Sequence, residues 1–144
     1  MREMHGHCLC GAVRIDVAEF RHDVSACHCD LCRRWTGAAM WGFEAPADAV
    51  TVTGEVASYR SSPFATRGFC PVCGTHLWIR DDGGPYDLVP GIFEEARDLP
   101  LVREVYADRA FACAPLAGGH TRVTKDTYER SHPFVNMEKA DDQA

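Results

Sequence analysis

Cys70-Pro71-Val72-Cys73-Gly74 is the strongest structural signal in the sequence. A Cys-x-x-Cys turn places two sulfurs within reach of one tetrahedral metal ion, and the glycine after it relieves the crowding of the turn. The stretch supplies only two ligands, whereas a structural zinc needs four. Cys8-Leu9-Cys10-Gly11 offers a second pair, again followed by glycine, at the edge of the first predicted strand. We therefore expect the two pairs to share one closed zinc site.

Three more cysteines lie within the six residues Cys27-His28-Cys29-Asp30-Leu31-Cys32. They are close enough in sequence to converge on a single metal ion, and three protein ligands leave one tetrahedral position for water or a substrate thiol. This arrangement is typical of a catalytic zinc. The alternatives are a closed site that His28, His76 or Cys113 completes, or a trio of cysteines that is simply prone to oxidation.

The expected compartment supports metal binding over disulfide formation. The first residues contain no apolar region behind a basic start, and no apolar run approaches the roughly 18 residues of a membrane span. We therefore expect a cytoplasmic protein that does not enter a membrane. A reducing cytosol does not maintain structural disulfides, so a disulfide or an unligated state is the lesser alternative for the two pairs. Cys113 stands alone and is expected to be a small buried hydrophobe.

The net charge of the chain limits the kinds of partner that it can bind. Lys and Arg number 15 against 21 Asp and Glu, for a formal net charge of -6, which argues against a surface that follows nucleic-acid phosphates. Arg33 and Arg34 beside the trio either bind an anionic substrate or only offset the charge of metal-bound sulfurs. His5 and His7, which flank Cys8, are expected to be solvated.

The chain of 144 residues, 46% of them hydrophobic, fits one globular domain over residues 1–144. Glycine and proline divide it into short segments rich in β-branched and aromatic residues, which favours a mostly β fold. The predicted strands cover residues 12–17, 39–43, 50–52, 57–60, 66–69, 75–79, 86–89 and 101–106, and helical turns are predicted at 30–35 and 46–49. The tail from Lys125 loses periodicity, and its end is expected to fray.

Six aromatic residues of these segments are expected to belong to the core and not to a cofactor site. They are Trp35, Trp41, Phe43, Phe64, Phe69 and Trp78.

Three motifs, in this order, resemble the glutathione-dependent formaldehyde-activating enzyme (GFA) and centromere protein V family, which has an Mss4-like fold. They are His5-Gly6-His7-Cys8-Leu9-Cys10-Gly11-Ala12-Val13, Cys27-His28-Cys29-Asp30-Leu31-Cys32-Arg33-Arg34-Trp35-Thr36-Gly37 and Arg67-Gly68-Phe69-Cys70-Pro71-Val72-Cys73-Gly74-Thr75. With Tyr59-Arg60-Ser61-Ser62 between them, the resemblance covers residues 5–110 and leaves a C-terminal extension. It implies several coiled antiparallel β-sheets clamped by zinc, with few short helices.

The resemblance also implies two Zn²⁺ ions per chain, the second of them exchangeable. The structural zinc would be held by Cys8, Cys10, Cys70 and Cys73. The second, open and catalytic zinc would be held by Cys27, Cys29 and Cys32. The implied activity is the condensation of formaldehyde with glutathione to S-hydroxymethylglutathione, which is formally a carbon-sulfur lyase reaction in reverse. The expected partners are thus a small thiol such as glutathione and a small aldehyde, and no nucleic acid or membrane.

Two other functions remain open at this point. One is a non-catalytic zinc module that binds a protein partner, and the other is association with DNA by analogy with the centromere relative, which the acidic balance weakens. In the enzyme hypothesis the open zinc either lowers the pKa of a substrate thiol or polarises the carbonyl oxygen of the aldehyde. Arg33 then holds a carboxylate of the thiol compound, and His28 is a candidate proton shuttle.

Overall fold

The structure, a computed structural model, describes residues 3–132. These residues form two compact units: unit 1 contains residues 3–24 and 42–100, and unit 2 contains residues 25–41 and 101–132. The one domain predicted over residues 1–144 stays a prediction.

Most of the regular structure is β. The strands are β1 (Met4–His7), β2 (Arg14–Val17), β3 (Val24–Cys27), β4 (Met40–Ala45), β5 (Val50–Thr53), β6 (Ala57–Arg60), β7 (Ala65–Phe69), β8 (His76–Asp81), β9 (Tyr86–Leu88), β10 (Leu101–Val105) and β11 (Thr121–Val123). The α-helices are α1 (Asp30–Thr36) and α2 (Lys125–Ser131). Short 3-10 helices cover Ala47–Ala49, Pro90–Ile92, Glu94–Asp98 and Ala107–Arg109.

Unit 1 contains two antiparallel sheet segments. The first has the strand order β1-β2-β5, in which Ile15 pairs with Gly6 on one side and Val52 on the other. The second has the order β4-β9-β8-β7-β6, and Leu88 of β9 pairs with Phe43 of β4 and Trp78 of β8. Apolar residues alternate with exposed ones along β2, as a sheet with one wet face requires.

The apolar core of unit 1 lies among these strands and the 3-10 helices that follow β9. Ile15, Phe43, Leu77 and Leu88 are almost completely buried, and Phe43 packs edge-on against Phe93 with ring centroids 5.3 Å apart. The core cluster also includes Cys8 and Cys70, both with no exposed surface. Two of the expected metal ligands are therefore part of the core itself.

Unit 2 combines short strands with the two α-helices. β10 and β11 pair in parallel, with Glu104 opposite Arg122, which departs from the antiparallel pairing expected throughout. α1 ends at Gly37, which adopts a left-handed conformation and donates its N–H to the carbonyl of Arg33. α2 begins at Thr124, whose hydroxyl accepts the N–H of Thr127.

The mostly β prediction is confirmed, and all eight predicted strands are present with small shifts at their ends. The helical turn predicted at 30–35 is α1, and the turn predicted at 46–49 is the 3-10 helix Ala47–Ala49. Strands β1, β3 and β11 were not predicted: β1 contains Gly6 and β3 contains Ala26, residue types that are depleted in strands, and β11 has only three residues. The loss of periodicity from Lys125 is wrong for α2, and the fraying predicted for the chain end lies outside the described residues.

Some predicted burial is wrong. Trp41 is 36% exposed and Phe64 is 42% exposed, because Trp41 points to the outer side of β4 and Phe64 lies in the turn between β6 and β7. Cys113 is exposed in the loop that precedes β11. Phe43 is buried, while Trp35, Phe69 and Trp78 are half-buried. In the part of the chain that the structure describes, no helix has the length and apolarity that a membrane span requires.

Gly54 provides a test of this fold. It has a φ of +100°, and a Cβ added there would lie 2.1 Å from the carbonyl oxygen of Ala12, whereas Gly83 has a φ of +73° and open space around the same position. Gly83→Ala should cost about 1 kcal/mol for the left-handed conformation alone. Gly54→Ala should cost about 3 kcal/mol, since a backbone clash adds to the strain. Urea unfolding of both variants measures the difference, and equal midpoints would contradict the close approach of Gly54 to Ala12.

Candidate metal centres

Four cysteine sulfurs meet in unit 1. The Sγ atoms of Cys8, Cys10, Cys70 and Cys73 all lie within 4.8 Å of one another. The sulfur of Cys10 is 3.6 Å from that of Cys8 and 3.8 Å from that of Cys70. A tetrahedron of Zn–S bonds about 2.3 Å long has edges of about 3.8 Å, whereas a disulfide would bring two sulfurs to about 2.05 Å. The four sulfurs therefore fit a zinc ion, and all eight cysteines of the chain are free.

Two similar turns present these sulfurs. The N–H of Cys8 donates to the carbonyl of Val13, and the N–H of Gly11 donates back to the carbonyl of Cys8. In the other turn the N–H of Cys70 donates to the carbonyl of Thr75, and the N–H of Gly74 donates to the carbonyl of Cys70. Gly11 and Gly74 both have a positive φ, 81° and 78°. The sequence expectation that glycine relieves each turn thus has a conformational cause.

Thr75 joins the two turns. Its hydroxyl oxygen accepts the N–H of Leu9 at 3.0 Å and lies 3.1 Å from the sulfur of Cys73. The hydroxyl and the N–H of Thr75 lower the pKa of the Cys73 thiol to about 5. For Cys10, the N–H of Ala12 lowers the pKa, but burial and the three neighbouring sulfurs outweigh it and raise that pKa to about 11. Four thiolates cannot share this space without a cation to offset their repulsion.

The other three cysteines meet in unit 2. The sulfurs of Cys27, Cys29 and Cys32 lie within 4.8 Å of one another. Cys27 ends β3, and Cys29 is the N-cap of α1, where its sulfur accepts the N–H of Cys32 at 3.4 Å. The sulfurs of Cys29 and Cys32, together with burial, hold the pKa of Cys27 well above its usual value. This trio is also a group of thiols that needs a soft cation to become three thiolates.

The described residues add no fourth Cys, His, Asp or Glu to the trio. His28 has its Nε2 on Glu104, His76 belongs to β8 in unit 1, and Cys113 is in an exposed loop. Sequence reasoning missed a different neighbour: the thioether sulfur of Met40, which lies 3.9 Å from the sulfur of Cys32. A methionine that follows a helix by a few residues carries no sequence signal for this position.

Arginine side chains also lie beside the trio. Arg33 and Arg109 both approach the carboxylate of Asp30, at 3.8 and 3.9 Å. The guanidinium of Arg33 lies over the ring of Phe111, 4.8 Å from its centroid. Arg33 is thus held in place at the start of α1, while Arg34 is exposed. The binding of a substrate anion by either arginine stays a prediction.

The histidines that flank Cys8 lie outside both cysteine groups. His5 and His7 are exposed, as predicted. The Nδ1 of His5 lies 2.6 Å from Asp16, and the hydrogen bond to this carboxylate raises the pKa of the imidazole.

A buried polar network that sequence reasoning missed surrounds His28. The carboxylate of Glu104 lies 2.7 Å from the Nε2 of His28, contacts the Nε2 of His120 and lies 3.3 Å from the Nε of Arg122. No motif in the sequence points to Glu104 or to the two residues near β11. Their positions follow from the parallel pairing of β10 with β11.

Tyr106 is a second residue that sequence reasoning missed. It is 3% exposed and, among the described residues, it is the one non-glycine residue with a positive φ, 55°. Burial, the charge of Glu129 and the charges of Cys29 and Cys27 raise the pKa of its hydroxyl. Backbone strain of this kind, beside the trio, is typical of functional sites.

Comparison with known proteins identifies relatives of this chain. The sequence model of the family described as "Glutathione-dependent formaldehyde-activating enzyme" matches residues 3–109. An uncharacterized lyase of Schizosaccharomyces pombe is 30% identical over 134 residues, which cover 91% of this chain and 98% of the relative. A crystal structure of a Rhodobacter sphaeroides protein superposes with a TM-score of 0.54 at 26% identity, and covers 69% of this chain and 100% of that one.

The match includes all seven cysteines of the two groups, since both groups lie within residues 3–109. The resemblance inferred from the three motifs and the expected fold class are confirmed. The chain belongs to the glutathione-dependent formaldehyde-activating enzyme family.

Proposed function

We propose that this protein is a zinc-dependent, carbon-sulfur lyase-like enzyme that acts on the adduct of a glutathione-type thiol with a small aldehyde such as formaldehyde. Membership of the family supports a lyase function of this kind. The observation that carries the finer assignment is the separation of the seven cysteines into a group of four and a group of three. Four thiolates complete a tetrahedral zinc, whereas three leave a position for a substrate.

In this proposal Cys8, Cys10, Cys70 and Cys73 hold a structural zinc, and Cys27, Cys29 and Cys32 hold a second, labile one. A zinc ion bound by the trio would lower the pKa of a substrate thiol, so that the thiolate is available near neutral pH. In the direction of condensation a carbon-sulfur bond forms, the carbonyl becomes a hydroxyl, and the proton of the thiol ends on that hydroxyl oxygen; cleavage of the adduct is the reverse of this step.

The residues around the trio would orient the substrate. Arg33, held between Asp30 and the ring of Phe111, is suited to bind a carboxylate of the thiol compound. His28 is 2% exposed and its Nε2 is taken by Glu104, which favours a supporting role over the proton shuttle predicted from its sequence position. Free cysteines and an acidic balance support a place in the cytoplasm and no nucleic-acid partner.

A non-catalytic zinc-binding module that binds another protein is the second candidate. The observation that favours it is the sulfur of Met40, 3.9 Å from that of Cys32. A thioether that completed the coordination would close the second site and remove the position for a substrate.

The enzyme proposal predicts one labile and one tenacious zinc per chain. Mild chelation should remove the ion held by the trio first, because three ligands retain zinc less firmly than four. Cys29→Ser should stay folded and keep one zinc, whereas Cys73→Ser should unfold. Zinc content before and after chelation, with circular dichroism, measures both effects. Cys113→Ser, at an exposed cysteine outside both groups, is the matched control and should behave like wild type.

Met40→Leu separates the two candidates. If the trio holds zinc without the thioether, the variant should lose its labile zinc at the wild-type rate. A much faster loss from the variant, or two equally tenacious ions in the wild type, would favour the closed, non-catalytic module.

Catalysis itself is measured by exchange NMR of glutathione with formaldehyde. Wild type and Cys113→Ser should accelerate formation of the adduct over the spontaneous reaction, and Cys29→Ser should not, because it lacks one ligand of the second zinc. The absence of acceleration by zinc-loaded wild type would remove this substrate assignment while leaving the two metal sites untouched.

A further inference from the structure

Glu104 places a carboxylate in the interior of unit 2. The residue is 4% exposed, and three cationic or polar side chains contact it. His28 and Arg122 lie 2.7 and 3.3 Å away, and His120 makes the third contact. The side chain of His28 is 3% exposed and that of His120 is 2% exposed. A buried charge is costly unless it is paired and hydrogen-bonded. The carboxylate of Glu104 is paired with His28, His120 and Arg122.

The protonation of Glu104 agrees with this pairing. Burial raises the pKa of its carboxyl group, but the hydrogen bonds from His120 and His28 outweigh burial and the net pKa is lowered. The group is therefore a carboxylate. Since apolar side chains of similar volume stabilise a protein as well as a buried ion pair does, stability by itself does not account for this network.

His28 connects the network to the trio. It stands between Cys27 and Cys29, and it is held to β10 at two points. Its N–H donates to the carbonyl of Val105 at 3.1 Å, and its ring contacts Glu104. The backbone that carries two of the three sulfurs cannot turn without breaking one of these contacts.

We propose that Glu104 is a positioning residue for the trio: it fixes His28, and so keeps the sulfurs of Cys27 and Cys29 arranged for a thiophilic divalent cation. His120 and Arg122 hold the carboxylate from the other side. Both lie beyond residues 3–109, the part of the chain that the family model matches. This inference rests on the proposed function in one respect, which is that the trio binds a metal ion.

Partners of this kind, which support a metal site without touching the ion, typically change metal affinity 10–100-fold when removed. Glu104→Gln keeps the size and one acceptor of the side chain but removes its charge. We expect it to lower the Zn²⁺ affinity of the labile site about 10–100-fold, while the tenacious zinc and the far-UV circular dichroism stay as in wild type. Competition with a chelator of known affinity measures the change.

A second readout is the absorption spectrum with Co²⁺ in the labile site. The thiolate-to-metal charge-transfer bands report the arrangement of the sulfurs, and they should shift in Glu104→Gln. Asp16→Asn is the matched control, because it removes the charge from an acid-histidine pair in unit 1 that is exposed and 2.6 Å long. It should change neither the affinity nor the spectrum.

The outcomes are distinct. Wild-type Zn²⁺ affinity and a wild-type Co²⁺ spectrum in Glu104→Gln would overturn the role of Glu104 and leave the proposed function standing. A wild-type chain that binds only one metal ion would overturn both. If Glu104→Gln fails to fold, His120→Gln decides by the same two measurements, with a weakened labile site expected and an unchanged one contradicting the proposal.

Discussion

The structure of unit 1 depends on four cysteine sulfurs, from two turns that are distant in sequence, which lie within 4.8 Å of one another. Cys10 and Cys70 are 60 residues apart in sequence and 3.8 Å apart at their sulfurs. The N–H of Ala12 lowers the pKa of Cys10, but burial and the three neighbouring sulfurs raise it to about 11, because thiolates so close together repel one another. The zinc that we propose for this group would reverse this balance, since a divalent cation binds thiolates and releases their protons. It would join the turn after β1 to the turn between β7 and β8.

The group of four cysteines includes two residues of the apolar core. Cys8 and Cys70 are both completely buried and pack with Ile15, Leu77 and the other apolar side chains of the cluster. The two outer ligands, Cys10 and Cys73, are more exposed. The structural zinc that we propose would therefore share two of its four ligands with the apolar core.

The trio is built differently, because its three sulfurs come from the end of one strand and the first turn of one helix. Local backbone geometry is enough to bring them together, with Cys29 as both N-cap and ligand candidate. What local geometry does not provide is rigidity. The contacts of His28 with Val105 and Glu104 supply it from β10, and the side chains near β11 reach the same carboxylate. For the labile zinc that we propose at the trio, these contacts would be support from outside the coordination sphere.

Residue spacing and pattern are enough to identify the two cysteine groups and most of the strands. Spacing decides which sulfurs can share an ion, and alternation of apolar and polar residues indicates a strand such as Arg14–Val17. Other features depend on contacts between residues that are distant in sequence, and these features follow from the tertiary structure. β1 is a strand because it pairs with β2, with Gly6 opposite Ile15, and the ring of Phe93 lies within 2.7 Å of the position that a Cβ on Gly6 would take. The exposure of Trp41 and Cys113, the sulfur of Met40 and the network around Glu104 likewise follow from which residues the fold brings together, because burial and pairing are properties of neighbours that are distant in sequence.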